Sequence, residues 1–125
     1  MKNISRNKKI AVKAGTLDGE LYKAILETEP GVKKMLIEPG LTAYLSSDGT
    51  TIEIYSSGFC CPDYLFAHSN IVVSFQVTSI SQTLTSLIEK GAVLLGEVHT
   101  VCSSHSYCHL LTPEKTVIGV YELNY

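Results

Sequence analysis

The chain has 125 residues, of which 45% are hydrophobic and 18% charged, with a formal net charge of −2. That is enough apolar material for one compact domain and argues against disorder, while the lack of a long basic run leaves no electrostatic footprint for nucleic acid or an anionic membrane. No segment approaches the ~18 apolar residues of a membrane span, so the expected partner is a small molecule or another protein.

Lys2, Arg6, Lys8 and Lys9 imitate the start of a secretion signal, but only Ile10, Ala11 and Val12 follow before Lys13, too short an apolar stretch. The expectation is a cytoplasmic protein whose four cysteines stay reduced. Residues 1–8 are polar and basic without periodicity and are expected to form a flexible N-terminus. Alternation of Ile10 and Val12 with Ala11 and Lys13 predicts a strand near 9–15. Thr16 or Asp18 then caps a helix carrying Leu21, Tyr22, Ile25 and Leu26, stopped by Glu29-Pro30-Gly31. Residues 32–38 and 41–46 read as a hairpin around Pro39-Gly40, and 50–55 as a fourth strand after the turn Ser47-Asp48-Gly49.

Residues 57–70 have the mixed polar composition of a connector. Beyond it the same order returns: a strand over 71–78, then a helix capped by Ser79 or Ser81 and carrying Leu84, Leu87 and Ile88. Gly91 suits the left-handed position after that helix, and strands follow over 93–99, 105–111 and 116–122. The fold class is therefore α+β, with one β-α-β-β-β module over 9–56 and a second over 71–125. Leu21, Ile25, Leu84, Leu87 and Ile88 are expected to be core.

The stretch DGTTIEIY at 48–55 recurs at 114–121 as EKTVIGVY, which points to one small module used twice. In each copy an acidic turn leads into an alternating strand, with Ile52 and Ile54 in the phase of Ile118 and Val120. Where the first copy has Glu53 the second has Gly119, so one carboxylate has no counterpart. Alternation puts Thr51, Glu53 and Tyr55 on one face and Ile52 and Ile54 on the other, against the helices. Glu53 is thereby expected to line a concave pocket with the 105–109 strand, and Gly119 to leave room beside Val117 and Tyr121.

Other clusters offer less complete chemistry. Cys102, His105, Cys108 and His109 crowd one hairpin, but on a strand Cys108 points away from His105, Tyr107 and His109, so the four do not converge. A hairpin centred near Cys102 would set His99 opposite His105, a metal-binding alternative that needs Glu97 or another chain to complete it. Cys60-Cys61-Pro62 lies in the connector with His68 as the local base, without a recognisable catalytic spacing; the alternative is an idle small hydrophobe. Tyr44, Tyr55, Tyr107 and Tyr121 fall on strands, where they either orient a polar ligand or simply pack.

Phe75-Gln76-Val77, the helix ending 87–92 in LIEKGA, and Thr112-Pro113-Glu114 before Val117-Ile118 together resemble a module of the vicinal oxygen chelate superfamily. That group includes glyoxalase I, extradiol dioxygenases, and the bleomycin and fosfomycin resistance proteins. The resemblance covers 71–122 well and 9–56 less well; a ferredoxin-like β-α-β repeat is the structural alternative. It implies that the two modules curl into a cup-like mixed sheet with flanking helices, usually as a homodimer. It also implies a divalent metal held near the start of each module's first strand and by a carboxylate on each last strand. Here those positions fall at Lys9 or Ile10, Val72, Glu53 and Gly119, of which only Glu53 carries a ligating group. The reading is thus a small-molecule-binding protein of glyoxalase and bleomycin-resistance type without the full metal site, and no cofactor is expected. Glu53, Tyr55, Tyr107, His109 and Tyr121 are the candidate ligand contacts, with Glu53 the candidate catalytic base. The alternative is a lyase, transferase or dioxygenase using a divalent metal at Glu53.

Overall fold

The computed structural model describes residues 7–38, 40–56, 63–101 and 105–123. Its first half contains β1 (Lys8–Lys13), α1 (Leu17–Thr28), β2 (Lys33–Glu38), β3 (Leu41–Leu45) and β4 (Thr51–Tyr55). The second contains β5 (Ile71–Gln76), α2 (Ile80–Glu89), β6 (Val93–Val101), β7 (His105–Leu111) and β8 (Val117–Leu123). Each half is β-α-β-β-β. Thr16, rather than Asp18, caps α1 by accepting the Gly19 N–H at 3.0 Å, and Ser79, rather than Ser81, caps α2 by accepting the Gln82 N–H at 3.3 Å.

All eight strands join one open mixed sheet in the order β2-β3-β4-β1-β5-β8-β7-β6. Exchanging the two halves leaves this order unchanged. The antiparallel pair at its centre aligns Lys9 with Ser74 and Ala11 with Val72. Each central strand also runs parallel to the last strand of its own half, with Ala11 beside Glu53 and Ser74 beside Gly119. The pseudo-twofold therefore maps Ala11 onto Ser74, Lys9 onto Val72 and Glu53 onto Gly119.

Alternation decides which side the helices cover. Ile52 and Ile54 are buried with Val12, Tyr44 and Leu26 beneath α1, and Cys108, Leu110 and Val120 with Ile80 and Ala92 beneath α2. Tyr44 belongs to this packed layer: its hydroxyl donates to Glu27 Oε2 at 2.6 Å, and burial with that carboxylate pushes its pKa up to about 12. A third cluster, Leu65, Val72 and Val117, lies on the other face.

Part of the expected helical core is not buried. Leu21, Ile25 and Ile88 are exposed, whereas Leu84 and Leu87 do pack on the second core. The cause in α1 is a close approach at Gly19, where a Cβ would lie 2.6 Å from the Lys13 carbonyl oxygen. The helix settles onto the end of β1 there, which turns Gly19, Tyr22 and Leu26 inward and leaves Leu17, Leu21 and Ile25 outward. Among the described residues no helix is long and apolar enough to cross a membrane.

A candidate ligand cavity inside the curled sheet

The face turned away from the helices encloses a cavity of ≈ 240 Å³. Lys9 and Ala11 reach it from β1, Glu53 and Tyr55 from β4, and Ser74 from β5. His105, Tyr107 and His109 reach it from β7, Tyr121 from β8, and Leu65 closes it from the connector. β4 and β7 stand four places apart in the sheet, which in a flat sheet would separate them by ~19 Å. Side chains from both can line one small cavity only because the sheet curls.

Glu53, Tyr55, Tyr107, His109 and Tyr121 thus all border the cavity, and Ile52 and Ile54 face the helices. Glu53 Oε1 accepts a hydrogen bond from Tyr55 Oη at 3.1 Å. Tyr55 also meets the connector ring of Phe66 edge-on, at 5.8 Å between centroids. His109 packs between Tyr64, at 5.5 Å, and Tyr107, at 6.1 Å. Burial, aided by the His99 charge, pushes its pKa down to about 4; burial and then Lys9 lower that of His105 as well. Both imidazoles are therefore neutral at pH 7. Nδ1 of His109, Nε2 of His105 and Oη of Tyr64 are buried without a hydrogen-bond partner in the described structure. Such groups are costly unless a water or ligand satisfies them.

Several expectations are corrected. His99 does not face His105: it pairs with Tyr107, on whose ring it stacks at 5.2 Å, while His105 pairs with Val101. The register shifts between Leu95 and His99, the stretch containing Glu97, so β6 carries two more residues there than an unbroken ladder. Gly119 does not leave open room either. A Cβ on it would collide with the Ser74 hydroxyl and lie 3.1 Å from His109 Cδ2, so neighbours from β5 and β7 already fill that space. Cys108 is a buried thiol in the helix-side core, its pKa raised by burial. Cys60, Cys61 and Cys102 lie outside the described residues, and His68 is exposed.

The donor set for a metal can be tested by register. The pseudo-twofold pairs Lys9 with Val72 and Glu53 with Gly119, which gives a cation, a buried hydrocarbon, one carboxylate and no side chain at the four positions. Those groups do not fit a divalent ion, which needs several converging oxygen, nitrogen or sulfur donors. Among the described residues no three His, Cys, Asp or Glu side chains converge elsewhere.

Ser74, Leu65 and Tyr64 escaped the sequence reading as site residues, and Lys9 entered it only as a metal position without a ligating group. Lys9 and Ser74 carried a usable signal, since they share the phase of Ala11 and Val72, opposite the helix-facing Ile10 and Val12. Tyr64 and Leu65 sit in an aperiodic connector and carried none.

No protein-family model matches the chain, and no curated protein matches it in sequence. Solved structures do match in shape. A glyoxalase/bleomycin resistance protein/dioxygenase superfamily member from Vibrio splendidus 12B01 aligns with a TM-score of 0.60 at 11% identity, over 92% of this chain and 97% of its own. Methylmalonyl-CoA epimerase from Mycobacterium tuberculosis aligns with a TM-score of 0.52 at 14% identity, over 95% of this chain and 87% of its own. A Mn(II)-bound glyoxalase from Novosphingobium aromaticivorans aligns with a TM-score of 0.56 at 13% identity, over 93% of this chain and 37% of its own. The chain has the vicinal oxygen chelate fold.

Proposed function

We propose that this protein binds a small organic molecule in the cup, through Glu53, Tyr55, Tyr107, His109 and Tyr121, without the full metal site of the vicinal oxygen chelate enzymes. The observation that carries the reading is the convergence of these five side chains on one cavity, beside buried imidazole nitrogens that lack partners. Glu53 is its polar anchor and favours a ligand bearing a hydrogen-bond donor or a cationic group. The same reading makes the protein a cytoplasmic homodimer.

Titration of labelled protein with a diverse set of small amines and alcohols is the test. Amide and aromatic resonance shifts should concentrate on Glu53, Tyr55, Tyr107, His109 and Tyr121. Glu53→Gln should weaken amine binding about tenfold, the scale of one charge-assisted hydrogen bond. Shifts confined to the helix side would sink the idea. Metal analysis of protein purified without chelators or a metal-affinity tag decides the alternative: stoichiometric metal that disappears in Glu53→Ala would favour a metal-dependent lyase, transferase or dioxygenase.

A further inference from the structure

Among the described residues Lys9 is the one cationic side chain lining the cavity, and it lies on the strand next to that of the Glu53 carboxylate, in the same phase. The two do not neutralise each other. Among the described residues the single ion pair within 4.0 Å joins Lys34 to Glu27, on the helix side of the sheet. Lys9 Nζ instead rests 4.7 Å from the centroid of the Tyr121 ring, a contact with an aromatic face that does not neutralise the ammonium's charge. Glu53 is held by the Tyr55 hydroxyl at one oxygen, a bond that orients the carboxylate without cancelling its charge.

The arrangement is bipolar. Lys9 sits toward Tyr121 and His105, whose pKa it helps to depress. Glu53 sits with Tyr55 on β4, the strand next to β1, and adds to burial in keeping the Tyr121 phenol protonated. The aromatic rings of Tyr55, Tyr107 and Tyr121 lie among these groups. Because both cavity histidines are neutral at pH 7, the lining sums to one positive and one negative charge. A simple anion would satisfy Lys9 and be repelled by Glu53, and a simple cation would meet the reverse; a molecule carrying both signs satisfies each.

We propose that the cavity is built for a small zwitterion, whose anionic group is held by Lys9 and whose cationic group is held by Glu53, with an apolar or aromatic body against the tyrosines. This deepens the small-molecule reading and rests on it. Lys9 then determines specificity rather than catalysing a reaction.

Four probes with one shared benzene body separate the possibilities. They are 4-(aminomethyl)benzoic acid, which carries both charges, 4-methylbenzoic acid, 4-methylbenzylamine and the neutral 4-methylbenzyl alcohol. Titration at pH 7, followed by the aromatic resonances of Tyr107 and Tyr121, should show the zwitterion binding about tenfold more tightly than either singly charged probe. Lys9→Met should reduce it to the level of 4-methylbenzylamine, and Glu53→Gln to the level of 4-methylbenzoic acid. If either variant does not fold, the order of the four probes on the wild-type protein decides alone. A singly charged or neutral probe binding as tightly as the zwitterion, or an order unchanged by Lys9→Met, overturns the zwitterion inference and leaves the small-molecule reading standing. If none of the four perturbs the cavity, both fall.

Discussion

His109 concentrates the conflict between packing and chemistry in this cup. Its ring leans over Gly119, the position where a side chain would have kept it out, and lies against Tyr64 and Tyr107. The small residue on β8 is thus exchanged for a buried imidazole on β7. Burial opposes its protonation, and His99 nearby acts in the same direction. In the folded chain its pKa is about 4, whereas in the unfolded chain it titrates near the usual ~6.5. Between those values the unfolded state takes up a proton that the folded state refuses. Stability should therefore be full above roughly pH 6.5, fall as the pH drops toward 4, and level off below, with His109 alone accounting for about 2 kcal/mol between pH 7 and pH 5. His105, displaced in the same direction, adds to the slope. Urea unfolding at pH 7 and pH 5 checks this: His109→Gln should flatten the difference, and an unchanged difference would show that the ring is not the source.

At the scale of elements, the repeat read from 48–55 and 114–121 extends to the hydrogen bonds of the turns themselves. In the first copy Ser46 N–H donates to the Thr50 carbonyl at 2.9 Å and Gly49 N–H to the Ser46 carbonyl at 3.0 Å. In the second, Thr112 N–H donates to the Thr116 carbonyl at 2.8 Å and Lys115 N–H to the Thr112 carbonyl at 2.9 Å. One turn geometry is written with two sequences. Gly49 adopts φ +92° and its counterpart Lys115 φ +68°, a left-handed conformation that a side chain disfavours. Lys115→Gly should therefore stabilise the fold by about 0.5–1 kcal/mol, the relief of that conformation exceeding the added freedom of the unfolded chain. Thermal or urea unfolding measures it, and a loss of stability would overturn the argument. The same comparison explains what could be read in advance. Period-2 alternation fixed the facing of Ile52, Glu53 and Ile54 because one residue of slip would reverse all three. Helix periodicity fixed less, because α1 has apolar residues on two faces and the approach at Gly19 chose between them. In the hairpin of β6 and β7 the unbroken pairs Val101–His105, Thr100–Ser106 and His99–Tyr107 are centred one residue beyond Cys102, and alternation alone does not choose between centres one residue apart.

Across the whole molecule, the pseudo-twofold explains both how the cavity closes and what stays open. β1 and β5 meet at the centre, so the two halves curl toward each other and bring Glu53 within one cavity of the β7 side chains. Among the described residues the ends of the sheet, β2 and β6, have no strand beyond them, and α1 presents Leu17, Leu21 and Ile25 at 77%, 56% and 64% exposure. Spaced four residues apart, these three form a continuous apolar stripe. Such a stripe is a disfavoured surface for an isolated chain, and an isologous contact between two copies of α1 covers it on both partners at once. The homodimer we propose is expected to use this face rather than a strand edge, because the side chains of Lys33 and Lys34 on β2 are exposed and would meet their own copies there. Light scattering across a dilution series should give twice the 13.6 kDa mass of the chain. Leu21→Lys with Ile25→Lys should shift it to 13.6 kDa while leaving the far-ultraviolet circular dichroism unchanged, since neither side chain is part of the core. A dimer that survives both substitutions would move the interface away from α1, and a 13.6 kDa species at every concentration of the unaltered protein would remove the dimer altogether.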